Sequence, residues 1–155
     1  MQRKGWQVRV ILTPMACRFV TPLTFSTLSE DCEWEVVTPE GRWIDHVERA
    51  EWADVMIIAP ATAHLIARMA HGMADNLLLL TYLSFAGKVF VAPAMDVGMY
   101  RHPATQNNLR ILSERRNHVV LPVEEGVLAS GLEGPGRMLE PHQIIAELQA
   151  HGIGI

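Results

Sequence analysis

The stretch Asp54–Gly72, DVMIIAPATAHLIARMAHG, decides the predicted fold of this chain. Its first part, Asp54–Pro60, is an almost continuous apolar run, which is typical of a strand covered on both faces. Thr62 is a suitable N-cap for a following helix, and Gly72 is a suitable stop. A buried strand that leads directly into a helix is the repeating unit of an α/β fold with a parallel sheet.

The same alternation continues on both sides of this stretch. Three further apolar runs predict parallel strands, at Val8–Leu12, Lys88–Pro93 and His118–Pro122. Helix starts are indicated by three signals: Thr21-Pro22, Asp75 ahead of NLLLLTYL, and Pro103. We therefore predict a three-layer, doubly wound parallel sheet of the Rossmann or flavodoxin-like type, in which ligands lie beyond the carboxyl ends of the strands.

Length and composition narrow the possible functions. A chain of 155 residues with 49% hydrophobic residues is predicted to form one domain over residues 1–155. The net charge of −4 argues against nucleic-acid or anionic-membrane partners, and the apolar runs are too short for a membrane span. Cys17 and Cys32 form no disulfide or metal pattern, so we predict a cytoplasmic protein without a metal. We place Cys32 in a polar turn.

Two segments are candidate ligand-binding loops. The apolar run that ends at Pro93 continues into Ala94, Met95 and Asp96 before any helix begins. Asp96 could equally cap a turn, and Met95 could fill a packed crevice. The Gly-rich segment 123–141 shows no periodicity, and loops of that length are commonly lids or binding loops. We predict a lid over a site at the end of the Pro93 strand.

Three motifs carry a resemblance to a known family. They are DHVERAEWADVMIIAPATAHLIARMAHGMADNLL from Asp45, PAMDVGMYRHPATQNNL from Pro93, and ASGLEGPGRMLEP from Ala129. In this order and spacing they resemble the flavin-containing cysteine decarboxylases, most closely the phosphopantothenoylcysteine decarboxylase domain of bacterial coenzyme A biosynthesis. The resemblance implies an FMN-dependent decarboxylation of 4′-phospho-N-pantothenoylcysteine to 4′-phosphopantetheine. It also implies a homotrimer or a multiple of trimers.

The resemblance assigns three catalytic positions. His46 matches the family's active-site histidine, which is suited to proton transfer near neutral pH. Asp96 stands where the family has an asparagine that clamps the substrate carboxylate. Ser130 stands where many members have a cysteine that donates the final proton, and a hydroxyl is a much weaker acid than a thiol. An ionised Asp96 would repel a carboxylate, so it must be protonated, bridged through a donor or used differently.

The remaining site residues follow from the same resemblance. FMN is predicted to contact nine residues, which are Thr13, Phe19, Ala59, Pro60, Ala61, Thr62, Asp75, Asn76 and Met95. The substrate is predicted to contact Met95, Asp96, Ala129, Gly131, Arg137 and Met138. His64, Arg68 and His71 share one helical face, which we interpret as a solvated surface.

Alternatives remain open from the sequence. The family begins with a central strand and a Gly-rich turn for the FMN phosphate, and bacterial members usually continue into a synthetase domain; we expect this chain to lack both. A related flavoprotein acting on another cysteine-containing substrate, such as a peptide with a carboxy-terminal cysteine, is one alternative. A non-catalytic subunit of the same fold is another. A flavin prenyltransferase is less compatible with PAMDVGMY, Pro93–Tyr100.

Overall fold

The computed structural model describes residues 5–154. These residues divide into two compact units: a smaller unit of residues 5–52 and 74–85, and a larger unit of residues 53–73 and 86–154. In chain order the α-helices and strands are β1 (Arg9–Ile11), α1 (Pro22–Ser26), β2 (Asp31–Glu33), α2 (His46–Trp52), β3 (Val55–Ala61), α3 (Ala63–Ala70), α4 (Leu77–Ser84), β4 (Lys88–Pro93), α5 (Val97–Arg101), α6 (Pro103–Ser113), β5 (His118–Val120), β6 (Val123–Val127), β7 (Glu133–Met138) and α7 (Pro141–Ala150), and a short 3₁₀ helix, Ala16–Arg18, lies between β1 and α1.

The smaller unit is built on a pair of parallel strands. β1 and β2 are in register with Val10 opposite Cys32. An ion pair joins α2 to β2, because the Arg49 guanidinium donates to both carboxylate oxygens of Asp31 at 2.9 and 2.8 Å. The Arg49 side chain is only 8% exposed, and its charge is compensated by Asp31 and, at 3.8 Å, by Glu33. α2 also packs against α4.

Two local predictions in this unit are wrong. Cys32 lies in β2 and is buried, not in a polar turn. DCE has no apolar run, so its strand is invisible to a hydrophobicity pattern and follows only from pairing with β1. The cap of α4 is Asn76, whose side chain accepts a hydrogen bond from the backbone N–H of Leu79 at 2.9 Å. Asp75 precedes it by one residue, a shift within the usual uncertainty of helix ends.

The larger unit contains three parallel strands in the order β3, β4, β5. Phe90 at the centre of β4 lies opposite Ile57 of β3 and Val119 of β5. Val89, Phe90 and Val91 are at most 1% exposed, which explains the continuous apolar run of this central strand. The predicted strands of this unit and the α/β class are confirmed.

Helices on this sheet begin where the sequence predicted. Thr62 caps α3 by accepting a hydrogen bond from the backbone N–H of Leu65 at 3.3 Å. Pro103 is the first residue of α6, which packs against α3. His71 and Gly72 end α3, with Gly72 in the left-handed region at φ +68°. Within residues 5–154, no helix is both long and apolar enough to cross a bilayer.

The expected irregular lid at 123–141 is mostly regular structure. β6 and β7 form an antiparallel pair in which Val123 lies opposite Met138 and Val127 opposite Glu133. A tight turn over 128–132 joins them, with Gly131 at φ +85°. Glycines and charged residues conceal the period-two pattern of a hairpin, because the sequence offers no alternation of apolar side chains.

Candidate active site

The segment after β4 is held by backbone hydrogen bonds to two other strands of the larger unit. The N–H of Ala94 donates to the carbonyl of Ala61, at the end of β3, at 3.0 Å. The N–H of Met95 donates to the carbonyl of Gly136 in β7, also at 3.0 Å. The β6–β7 hairpin is therefore bonded directly to the loop that carries Asp96.

Glycine makes this close approach possible. A Cβ at Gly136 would lie 2.2 Å from the carbonyl oxygen of Met95, and φ at Gly136 is +141°. A Cβ at Gly134 would lie 2.8 Å from a side-chain methyl of Val97. The two glycines of the Gly134-Pro135-Gly136 sequence therefore allow the hairpin to pack closely against the Asp96 loop.

A cleft of about 400 Å³ opens between this loop and the hairpin. It is lined by six residues assigned to the site from the sequence: Met95, Asp96, Ala129, Ser130, Arg137 and Met138. Ala94, Leu128 and Gly136 also line it and were not assigned to the site. The GPG sequence could have indicated a close backbone contact at Gly136. An apolar residue next to a turn, such as Leu128, carries no sequence signal for a binding site. Gly131 lies in the hairpin turn beside Ser130.

Asp96 and Ser130 are hydrogen-bonded to each other although they are 34 residues apart. The Ser130 hydroxyl donates to Oδ2 of Asp96. Oδ1 of Asp96 accepts the backbone N–H of Gly98 at 3.1 Å and so caps α5. These donors, first the hydroxyl and then the amide, lower the pKa of the Asp96 carboxyl group from its ordinary value. Asp96 is therefore an ionised carboxylate bridged to a donor, and it also has the turn-capping role considered from the sequence.

Arg137 is the cationic side chain among the residues that line the cleft. Its Nη2 donates to Oε1 of Glu140 at 2.5 Å, and both side chains are about half exposed. Gln143 extends this network, since its side chain accepts the backbone N–H of Glu140 and donates to Glu124. The positive charge of Arg137 is thus already matched by a carboxylate of its own chain.

His46 is the first residue of α2 in the smaller unit. Its Nδ1 is buried and has no hydrogen-bond partner among the residues that the structure describes. The imidazole ring contacts the edge of Trp43, with 6.0 Å between ring centroids. Buried polar atoms are rarely unsatisfied, so an open hydrogen-bonding position marks His46 as a functional candidate.

The predicted flavin contacts lie in both units. In the smaller unit, Oγ1 of Thr13 accepts the backbone N–H of Ala16 at 3.1 Å, and the side chain of Phe19 is 84% exposed. Asn76 is occupied as the cap of α4. In the larger unit, 59–62 form the end of β3 and the cap of α3, with a cis peptide bond between Ala59 and Pro60.

The histidine and cysteine side chains outside the cleft are candidates for a metal or nucleophile site. Of the helix face predicted to be solvated, His64 and His71 are exposed and Arg68 is half-buried. Within residues 5–154, no group of three or more histidine, cysteine, aspartate or glutamate side chains could hold a metal ion. The thiols of Cys17 and Cys32 both have a raised pKa, chiefly because of desolvation, so neither is an activated nucleophile.

Comparison with known proteins places this geometry in a family. The chain belongs to the flavoprotein family, whose model matches residues 1–151. This assignment confirms the resemblance drawn from the three motifs and agrees with the predicted flavin cofactor.

Two curated relatives are similar in sequence. A cysteine/cysteine sulfinic acid decarboxylase from an unknown prokaryotic organism is 53% identical over 83% of this chain. The coenzyme A biosynthesis bifunctional protein CoaBC of Bacillus subtilis is 43% identical over 95% of this chain. The chain spans 36% of the length of each relative.

Two solved structures are similar in fold. A mutant PPC decarboxylase complexed with pantothenoylaminoethenethiol superposes with a TM-score of 0.82 at 28% identity, covering 96% of this chain and 85% of the other. The FMN-dependent cysteine decarboxylase SpaF gives 0.72, also at 28% identity, over 93% of this chain and 79% of the other.

Proposed function

We propose that this chain is an FMN-dependent decarboxylase domain that removes the carboxylate of a cysteine-derived thiol. The observation that carries the proposal is the cleft at the end of β4, where Asp96 and Ser130 meet. Membership of the flavoprotein family supports the cofactor, and the decarboxylases among the relatives support the reaction.

The described residues fit a flavin. In the smaller unit the apolar side chains of Phe19 and Leu23 expose 84% and 71% of their surface, so they are free to contact an apolar ring. The cofactor contacts stay a prediction from the family resemblance: Thr13, Phe19, Asp75 and Asn76 in the smaller unit, and 59–62 and Met95 in the larger unit. Bound FMN supplies a two-electron oxidation of the thiol-bearing carbon to a thioaldehyde and, once carbon dioxide has left, reduction of the ene-thiolate to the product thiol.

The protein's own groups orient the substrate and move protons. The open Nδ1 position of His46 suits the transfer of the thiol proton. The ionised Asp96 directs a substrate carboxylate away from itself by charge repulsion, which suits a group that must leave. The Ser130 hydroxyl gives its hydrogen to the ionised Asp96, so Ser130 would act by holding that carboxylate in place.

Two substrates compete for this role. 4′-Phospho-N-pantothenoylcysteine is supported by the similarity to CoaBC and to the PPC decarboxylase structure. Free cysteine is supported by the similarity to the cysteine/cysteine sulfinic acid decarboxylase. A homotrimer in the cytoplasm stays a prediction, which light scattering of the purified chain would test for its oligomeric part.

The experiment is to add FMN to the purified chain, remove free cofactor by gel filtration, and record the visible absorption spectrum. Retained flavin absorption is expected, and carbon dioxide should be released from one of the two substrates. A colourless chain with no release would contradict the proposal and favour a non-catalytic subunit of the same fold. His142→Asn, an exposed histidine on α7, is a suitable control for histidine variants.

A further inference from the structure

We propose that the Asp96–Ser130 pair recognises a protonated amine, so that the substrate is a thiol amino acid with a free α-ammonium group and not an N-acylated cysteine. The inference rests on the proposed function for its reaction, but it concerns the charge of the ligand that this cleft accepts. Neither the family nor the relatives' names assign this role to either residue.

The Asp96–Ser130 pair has hydrogen-bond acceptors left but no donor. The only hydrogen of the Ser130 hydroxyl is given to Oδ2 of Asp96. What remains at these two residues is a set of accepting lone pairs, together with the negative charge of the carboxylate. A ligand group that fits must therefore donate hydrogen bonds.

The carboxylate of Asp96 is held in place by hydrogen bonds to both of its oxygens. Oδ1 is bound to the N–H of Gly98 at 3.1 Å, and Oδ2 to Ser130. The backbone of the adjacent Met95 is bonded to Gly136. A preorganised anion of this kind binds a cation without first losing side-chain freedom.

Within residues 5–154, the rest of the cleft lining offers no other unpaired charge. The other lining side chains in the described chain are apolar, apart from Arg137, whose charge is paired with Glu140. Met95, Met138 and Leu128 suit a thiol-bearing carbon, since methionine adapts to such contacts. Asp96 is then the unmatched charge at the cleft, and it is negative.

The candidate ligands differ in the group that each would bring to Asp96. A cleft of about 400 Å³ admits both cysteine and an N-acyl cysteine head, so volume does not separate them. An α-ammonium group brings three donors and a positive charge to the carboxylate, whereas an N-acyl amide brings one donor and no charge. The ammonium form is the better match.

The test uses analogues that bind but whose thiol is blocked. The affinities of S-methyl-L-cysteine and N-acetyl-S-methyl-L-cysteine are measured by calorimetry on the full chain, with and without added FMN. We expect the free amine to bind about ten- to hundredfold more tightly, as for a hydrogen-bonded charge pair.

Asp96→Asn is the decisive variant, because asparagine keeps the helix cap and can accept from Ser130 while the charge is lost. It should abolish the preference for the free amine. Asp54→Asn, at an exposed aspartate just before β3, removes the same charge elsewhere and should leave the preference unchanged.

Two results would overturn the inference: equal or tighter binding of the N-acetyl compound, or a preference for the amine that survives in Asp96→Asn. The readout is binding, so it is independent of turnover. A preference for the amine without carbon dioxide release from L-cysteine would reject the proposed reaction and leave the recognition of the amine intact.

Discussion

Gly136 of the hairpin and Met95 of the active-site loop touch through their backbones. The Met95 N–H donates to the Gly136 carbonyl at 3.0 Å, and a Cβ at Gly136 would lie 2.2 Å from the Met95 carbonyl oxygen. The hairpin that carries Ser130 is thereby seated on the loop that carries Asp96. The position of the Asp96–Ser130 pair depends on a residue that has no side chain.

Gly136→Ala should separate the hairpin from the loop. An overlap with backbone atoms cannot be relieved by a rotamer change, and φ of +141° is unfavourable for alanine. We expect a loss of about 3 kcal/mol in the free energy of unfolding, measured by urea denaturation. Gly126→Ala is the matched control, since its Cβ would meet Arg137 atoms at an ordinary 3.7 Å. Equal stability of the two variants would contradict the close contact.

Asp31→Asn should destabilise the smaller unit. It would leave the guanidinium of Arg49, which is only 8% exposed, without its bidentate partner. Because Arg49 is buried but Asp31 is 36% exposed, the expected loss in the free energy of unfolding is about 1 to 3 kcal/mol, to be measured by chemical denaturation. Glu114→Gln is the control, because its pair with Arg110 is exposed on both sides and should contribute less than about 0.5 kcal/mol. A small effect at Asp31 would show that Glu33, 3.8 Å from Arg49, compensates.

The carboxyl group of Asp96 should titrate below its ordinary pKa, because Ser130 and Gly98 donate to its ionised form. Its lowered folded pKa means that the stabilisation is present above the unfolded value of about 3.9 and is lost as the pH falls through the folded value. NMR titration of the side-chain carbon should show this, and Ser130→Ala should move the midpoint upward. A midpoint at or above the ordinary value would contradict an ionised bridge.

His46→Asn should reduce carbon dioxide release without unfolding the chain. Loss of a residue that transfers protons typically costs about 10²- to 10⁴-fold in rate. Rates with cysteine and phosphopantothenoylcysteine should be measured on flavin-loaded protein, beside His142→Asn. Unchanged turnover in His46→Asn would remove the histidine from the mechanism.

The sequence predicted those parts of the fold that have a continuous apolar run. β3, β4 and β5 were found because buried parallel strands need such runs on both faces. β2 was missed because Asp31–Glu33 becomes a strand only through pairing with β1. The hairpin was missed because its Gly-rich strand carries no alternating pattern.

The candidate site was predicted in part. Asp96 and Ser130 were assigned separately, from two motifs, and the cleft brings both together. Their hydrogen bond across 34 residues was not predictable, because it depends on how the hairpin seats on Gly136. The role of Asp96 changes with that contact, from an unexplained replacement to a fixed anionic acceptor.

The measurement that tests the central claim most directly is carbon dioxide release from L-cysteine and from phosphopantothenoylcysteine, by the same chain with and without bound FMN. The account predicts release from at least one of these compounds only when flavin is bound. No release from either compound by the flavin-loaded chain, or equal release without flavin, would contradict it.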